Sequence, residues 1–198
     1  MNKTTTSRDA QSTKERILDA ALNIFSRKGY YDTRLDEIVA ESETSKGSIY
    51  FHFPNKERLF IALVDQFADL LERRVTEAIQ NESGMKRVRL ALETVIATFG
   101  KYRRPAKILL VQAVGLGAIF EEKRNEVNDR FADLIAGYLQ EAIDLGDIPP
   151  VDMEVVSYAW MGAIYNVIIR WVYTGEPEPG RILDALLPVL LKSVGYEE

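Results

Sequence analysis

Cysteine is absent from this 198-residue chain, and His52 is its only histidine. The first absence excludes a disulfide framework, a thiolate metal site and a cysteine nucleophile; the second excludes a histidine metal cluster. The opening MNKTTTSRDAQSTKER has no apolar stretch of the kind a signal peptide needs. Its polar character reads as a flexible arm over residues 1–11 of a cytoplasmic protein. Segments of β-type alternation are missing, and so are internal repeats. There is no nucleophile–base pair, and the acids Glu121, Glu122, Asp129 and Asp133 fall on polar helix faces rather than facing one another. An enzyme is therefore not expected, and nothing calls for a metal or a cofactor.

A strong positive charge is also missing. The net charge is −5. Residues 1–60 hold 10 Lys/Arg against 9 Asp/Glu, whereas residues 61–198 hold 15 against 21. The asymmetry has the sign expected of a nucleic-acid-binding N-terminal part, but it is small, so any such case rests on motif rather than charge.

What is present is a core: 46% of residues are hydrophobic and 28% charged, as in a globular protein. The apolar residues recur with helical period throughout. Ile17, Leu18, Ala21, Leu22, Ile24 and Phe25 predict a helix over 12–28, closed by Gly29. Thr33, with Asp36 three residues on, reads as the N-cap of a helix to about 42. Thr44 or Ser45 caps a third helix that stops near Phe53, because Pro54 disfavours helical geometry before it. Asn55 caps a fourth, whose inward face holds Leu59, Phe60, Leu63, Val64, Phe67 and Leu71. Further helices are expected over about 85–102, 105–119, 121–145, 152–173 and 181–194, the last kinked or broken at Pro188. The fold is all-α, with about nine helices.

The segment 33–60 is the most specific. A capped helix, a three-residue turn, a short polar helix and then Pro-Asn-Lys form the pattern of a helix-turn-helix whose second helix enters a major groove. Thr44, Ser45, Lys46, Gly47 and Ser48 are small or hydrogen-bonding groups suited to base edges. Tyr50, Phe51 and His52 sit at the end of the same helix, with Tyr50 and His52 able to donate to phosphate. Lys56 and Thr33 lie in the first turns of their helices, where a phosphate can be held. Ile49 and Phe53 face inward.

The residues Thr33, Ile38, Ser45, Gly47, Tyr50, Phe53, Lys56, Glu57 and Leu59 keep a fixed set of gaps. With them, residues 12–60 resemble the DNA-binding signature of the TetR family of ligand-responsive repressors. Beyond residue 60 the resemblance consists only of length and helix count. It implies a helix-turn-helix domain over 12–58, and over 59–198 a helical bundle for effector binding and dimerisation. It further implies a homodimer that binds double-stranded operator DNA and is released by a small hydrophobic or amphipathic effector, such as an acyl-CoA or another apolar ligand. One departure stands out: the family's turn is Ala-Gly-Val, whereas this chain has Ser42-Glu43-Thr44, and Glu43 lacks glycine's access to positive φ.

For the effector pocket the candidates are Phe67, Leu92, Ile96, Phe99, Tyr102, Phe120, Phe131, Tyr138, Tyr158, Met161, Tyr165 and Asn166. For the dimer interface they are Ala159, Gly162, Ala163, Arg170, Leu183, Leu187 and Leu190. The stretch 155–173 is long and apolar enough for a membrane span. Asn166 and Arg170 argue instead for a helix buried on nearly all sides, with no membrane involved. Lys101, Arg103, Arg104 and Lys107 are either a solvated corner or a seat for an anionic headgroup such as the phosphates of an acyl-CoA. A helical interaction module without DNA binding is the alternative function.

Overall fold

The computed structural model describes residues 3–113 and 115–197, with the side chains of 3–10 outside that description. Nine α-helices follow in order, and no strand occurs among the described residues. They are α1 (Lys3–Lys28), α2 (Leu35–Ser42), α3 (Lys46–His52), α4 (Lys56–Ile79), α5 (Gly84–Lys101), α6 (Arg103–Lys107), α7 (Ala118–Asp144), α8 (Met153–Thr174) and α9 (Pro179–Ser193). A single π-helical turn, Ile108–Gln112, extends α6.

Several boundaries differ from expectation for identifiable reasons. The arm expected at 1–11 is helical from Lys3, since neither Gly nor Pro interrupts the chain before Gly29. The helix expected over 105–119 ends early. Gly115 (φ 75°) and Gly117 (φ 117°) take positive-φ conformations that side chains disfavour, so Ile119 belongs to α7. Pro188 does not break α9: it lies on the exposed face, where a missing intrahelical bond is open to solvent. Thr33 is not the N-cap of α2. That position falls to Arg34, whose N–H is accepted by the Glu37 carboxylate at 3.1 Å.

Two caps form as the sequence predicts: Asn55 Oδ1 accepts from Arg58 N at 2.8 Å and Ser45 Oγ from Ser48 N at 3.0 Å. A further cap, Asp152 Oδ1 accepting from Val155 N at 3.1 Å, opens α8. Such caps contribute about 1 kcal/mol each.

One contiguous apolar core runs from Ile17 to Val194. Its N-terminal end is aromatic. Phe60 of α4 meets Phe25 (5.1 Å between centroids), Tyr30 (5.3 Å) and Phe120 (5.6 Å), all edge-on. That geometry suits the ring quadrupoles. The cluster joins α1, α4 and the start of α7, so α4 passes from this knot into the bundle of α5, α7, α8 and α9. Ion pairs bind α4 to α7 along their length: Lys123 to Asp65 at 3.1 Å, Arg130 to Asp69 at 2.9 Å, and Arg130 to Glu72.

The helix expected to set one face against its own domain and another against a partner subunit, α8, is buried on one side in this chain. Trp160, Ile164, Ile168 and Trp171 face the core, while Val155, Ala159, Asn166, Arg170 and Tyr173 are exposed. On α9 the outward residues are Asp184, Ala185, Pro188, Val189 and Lys192.

Candidate DNA-reading helix and ligand cavity

The turn between α2 and α3 is built on Glu43, which adopts the left-handed conformation (φ 50°, ψ 38°) usually left to glycine. Three contacts hold it there. Arg16 of α1 donates to the carbonyls of Ser42 (2.7 Å) and Glu43 (2.9 Å), and its guanidinium lies 3.7 Å from the Glu43 carboxylate. The Ser42 hydroxyl donates to Val39 O, which leaves Thr44 as donor in the 2.7 Å contact between the two hydroxyls. Arg16 was not singled out in the sequence, because its partners are backbone groups 26 and 27 positions away.

α3 is pinned from below by Ile49 and Phe53, which are 1% and 4% exposed. Ser45, Lys46, Gly47, Tyr50 and Phe51 consequently point outward, with Phe51 79% exposed. Ser48 and His52 are half-buried along the same helix, as is Thr44 in the turn before it. A Cβ on Gly47 would meet only Ser45 Oγ, at 3.7 Å. The space spared by that glycine therefore lies outside the protein, not against α1 or α2. Lys46 reaches Asp36 of α2 at 2.8 Å, and this partner raises its pKa above the ordinary lysine value.

Two expected phosphate contacts are corrected. Thr33 is only 2% exposed and its hydroxyl donates to Gly29 O at 2.7 Å. The Lys56 ammonium donates to the carbonyls of Tyr30 (2.8 Å) and Thr33 (3.0 Å), with Tyr31 O at 3.4 Å, and sits 4.5 Å over the Tyr30 ring. Its three N–H groups are thus spent inside the molecule, and burial lowers its pKa. Lys56 staples α4 to the loop before α2; it does not present free charge.

In the other half of the chain, α4, α5, α7, α8 and the π-helical turn enclose a cavity of about 120 Å³. Leu92, Phe99, Phe131, Tyr138, Met161 and Tyr165 of the expected set line it. Its walls also include Leu71, Val75, Leu109, Leu110, Arg124, Val127, Asn128 and Ile135. The sequence does not flag these because aliphatic residues at helical spacing look the same whether they border a void or a neighbour. The Tyr165 hydroxyl donates to Leu110 O at 2.7 Å, and burial raises its pKa, which keeps it a neutral donor.

Six expected pocket residues lie elsewhere. Phe67 and Ile96 are solid core, with Phe67 packed edge-on to Phe99 at 5.6 Å. Phe120 belongs to the aromatic knot beside Phe60. Tyr102 ends α5, its hydroxyl 3.5 Å from Arg74. Tyr158 is exposed and donates to Asp129 at 2.6 Å, while the Asn166 amide turns back onto Gly162 O at 2.8 Å. Of the expected dimer residues, Leu187 and Leu190 face their own core, whereas Ala159 and Arg170 are exposed and Gly162, Ala163 and Leu183 half-buried.

The basic cluster at the junction of α5 and α6 lies at the surface, with Lys101, Arg103 and Arg104 exposed, and is not a headgroup seat at the cavity. Arg103 donates to Trp171 O (3.3 Å) and Val172 O (2.8 Å) at the end of α8. Lys107 donates to Ser26 O (2.8 Å) at the end of α1, and Arg104 to Asn23 Oδ1 (2.8 Å). Cations on the carbonyl-rich ends of two helices are favourable there. None of these residues, nor Lys101, lines the cavity.

A short polar helix held outward by two apolar anchors, on a turn locked from a preceding helix, defines a helix-turn-helix transcriptional regulator. Residues 17–63 match the family model of the bacterial regulatory proteins, tetR family. The chain is 27% identical over 185 residues to the HTH-type transcriptional regulator YdgC of Bacillus subtilis (strain 168), covering 90% of each. It superposes on the transcriptional regulator FadR from Bacillus subtilis in complex with stearoyl-CoA with a TM-score of 0.81 at 20% identity, over 93% of this chain and 99% of that one. It also superposes on AibR in complex with isovaleryl coenzyme A and operator DNA, with a TM-score of 0.71 at 23% identity, over 89% and 97%. The chain belongs to the TetR family of transcriptional regulators.

Proposed function

We propose that this chain is a cytoplasmic, non-catalytic repressor that binds operator DNA as a homodimer and lets go when a small apolar or amphipathic molecule enters the cavity. The carrying observation is the outward face of α3, where Ser45, Lys46, Gly47, Tyr50 and Phe51 are exposed while Ile49 and Phe53 anchor the helix. One such helix reads a half-site, and a two-fold partner supplies the second about 34–36 Å away. The exposed sides of α8 and α9, with Val155, Ala159, Arg170, Tyr173, Ala185 and Val189, are the proposed pairing surface. That FadR and AibR structures hold acyl-coenzyme A ligands supports an effector with an acyl chain. The division into a reading head (12–58) and an effector and dimer part (59–198) is one of task, since packing is continuous across it.

Coupling follows from α4. Its start is fastened to the head by Phe60 and Lys56, and farther along Leu71 and Val75 line the cavity. α7 walls the cavity with one face and pairs with α4 through Lys123 and Arg130 on another. A ligand that favours a wider cavity tilts α4 and respaces the two α3 helices, with a coupling of about 1–3 kcal/mol. The test is a gel shift of the full chain on DNA from upstream of its own gene. A salt-sensitive shift that Tyr50→Ala weakens without lowering the melting temperature supports the reading. No shift from a chain that sediments as a monomer rejects it.

A further inference from the structure

Among the described residues that form the cavity's largely hydrocarbon walls, Arg124 of α7 carries the one charged side chain. Its Nη2 donates to Glu121, but its Nε–H is buried with no acceptor. One turn on, the Asn128 amide lines the same wall. Glu121 is shared: one oxygen takes Arg124, and the other accepts from Gly115 N at 3.0 Å in the connection before α7. A buried guanidinium N–H without a protein acceptor is unfavourable, because water solvates it in the unfolded chain. A carboxylate offers the acceptor such a planar fork matches best, through two parallel bonds.

We infer that the effector is an elongated aliphatic carboxylate whose head is gripped by Arg124 and whose chain lies along α7 toward Tyr138. This rests on the cavity being the effector site. The lining positions from Arg124 to Tyr138 are fourteen residues apart, about 21 Å of helical rise, which suits a chain rather than a compact ring system. Glu121 acts as the internal competitor: it holds the guanidinium from its own helix and repels an incoming carboxylate. The α6 basic residues play no part, since their charges are spent on the ends of α1 and α8.

Calorimetric titration of the full chain tests this with three probes: decanoate, 1-decanol and decanoyl-CoA. Wild type binds decanoate more tightly than decanol. Arg124→Met weakens decanoate roughly tenfold or more and leaves decanol unchanged, the loss expected for a charge-assisted bond pair. Arg124→Lys falls between, and Glu121→Gln tightens decanoate. Equal binding of decanoate and decanol, or full decanoate affinity in Arg124→Met, overturns the carboxylate while leaving the cavity as effector site. Binding of decanoyl-CoA alone also overturns it, in favour of a thioester ligand. If none of the three binds, the cavity reading fails and this inference with it. Should Arg124→Met not fold, Glu121→Gln decides, and no gain in decanoate affinity overturns the proposal.

Discussion

The two halves of this molecule are packed to different standards. In the reading head, buried groups are matched: Lys56 meets its carbonyls, Thr33 donates to Gly29 O, and Phe25, Tyr30 and Phe60 fill the interior edge-on. In the bundle, Arg74 Nε, Thr98 Oγ1, Gln112 Oε1, Arg124 Nε and Ser157 Oγ are buried without a protein hydrogen-bond partner among the described residues, and a cavity lies among the helices. No buried side-chain atom of the head shares that condition among the described residues. A DNA reader must hold one shape, since base contacts tolerate little misplacement. A sensor must have a second shape within reach, and loose packing with unmet polar groups lowers the cost of reaching it.

Mutations break or sharpen this contrast. Phe60→Ala is expected to act most strongly, losing about 3–5 kcal/mol in denaturant unfolding, as for a large aromatic removed from a closed core. Phe131→Ala, in a wall that already borders a void, should lose well under half as much. Equal losses would erase the distinction. Lys56→Met comes next, at about 1–3 kcal/mol, because the carbonyls of Tyr30 and Thr33 lose their donor. Its DNA affinity should fall only as folding falls, with the salt slope of binding unchanged. Lys46→Ala should instead reduce that slope by about one with little effect on stability. A lowered slope for Lys56→Met would return that lysine to the phosphate backbone.

Ser45→Ala removes the cap of α3 and should cost about 1 kcal/mol in melting experiments, with a larger proportional loss in gel shift because α3 is short. Glu43→Gly is the smallest. Relief of the left-handed conformation is offset by glycine's greater chain entropy and by the lost contact with Arg16, for a net gain of about 0.5 kcal/mol. Unchanged or lower stability would mean that the turn is set by the Arg16 hydrogen bonds alone.

Local order in the chain was enough to determine the nine helices of the described residues, the caps at Ser45 and Asn55, and the outward face of α3. Each depends on residues within one or two turns of one another, where helical period and side-chain reach decide the outcome. Gly115 and Gly117 show the limit: their residue type warned of a weak helix, but only the chain's path shows that they end it. Tertiary structure alone decided the rest. Lys56 looked like a phosphate ligand until three distant carbonyls closed around it, and Phe120 like a pocket wall until it met Phe60. Arg124 gave no sign at all. Whether a side chain borders a void, a backbone oxygen or another ring depends on which helices meet, and helical period carries only the side that faces inward, not what waits there.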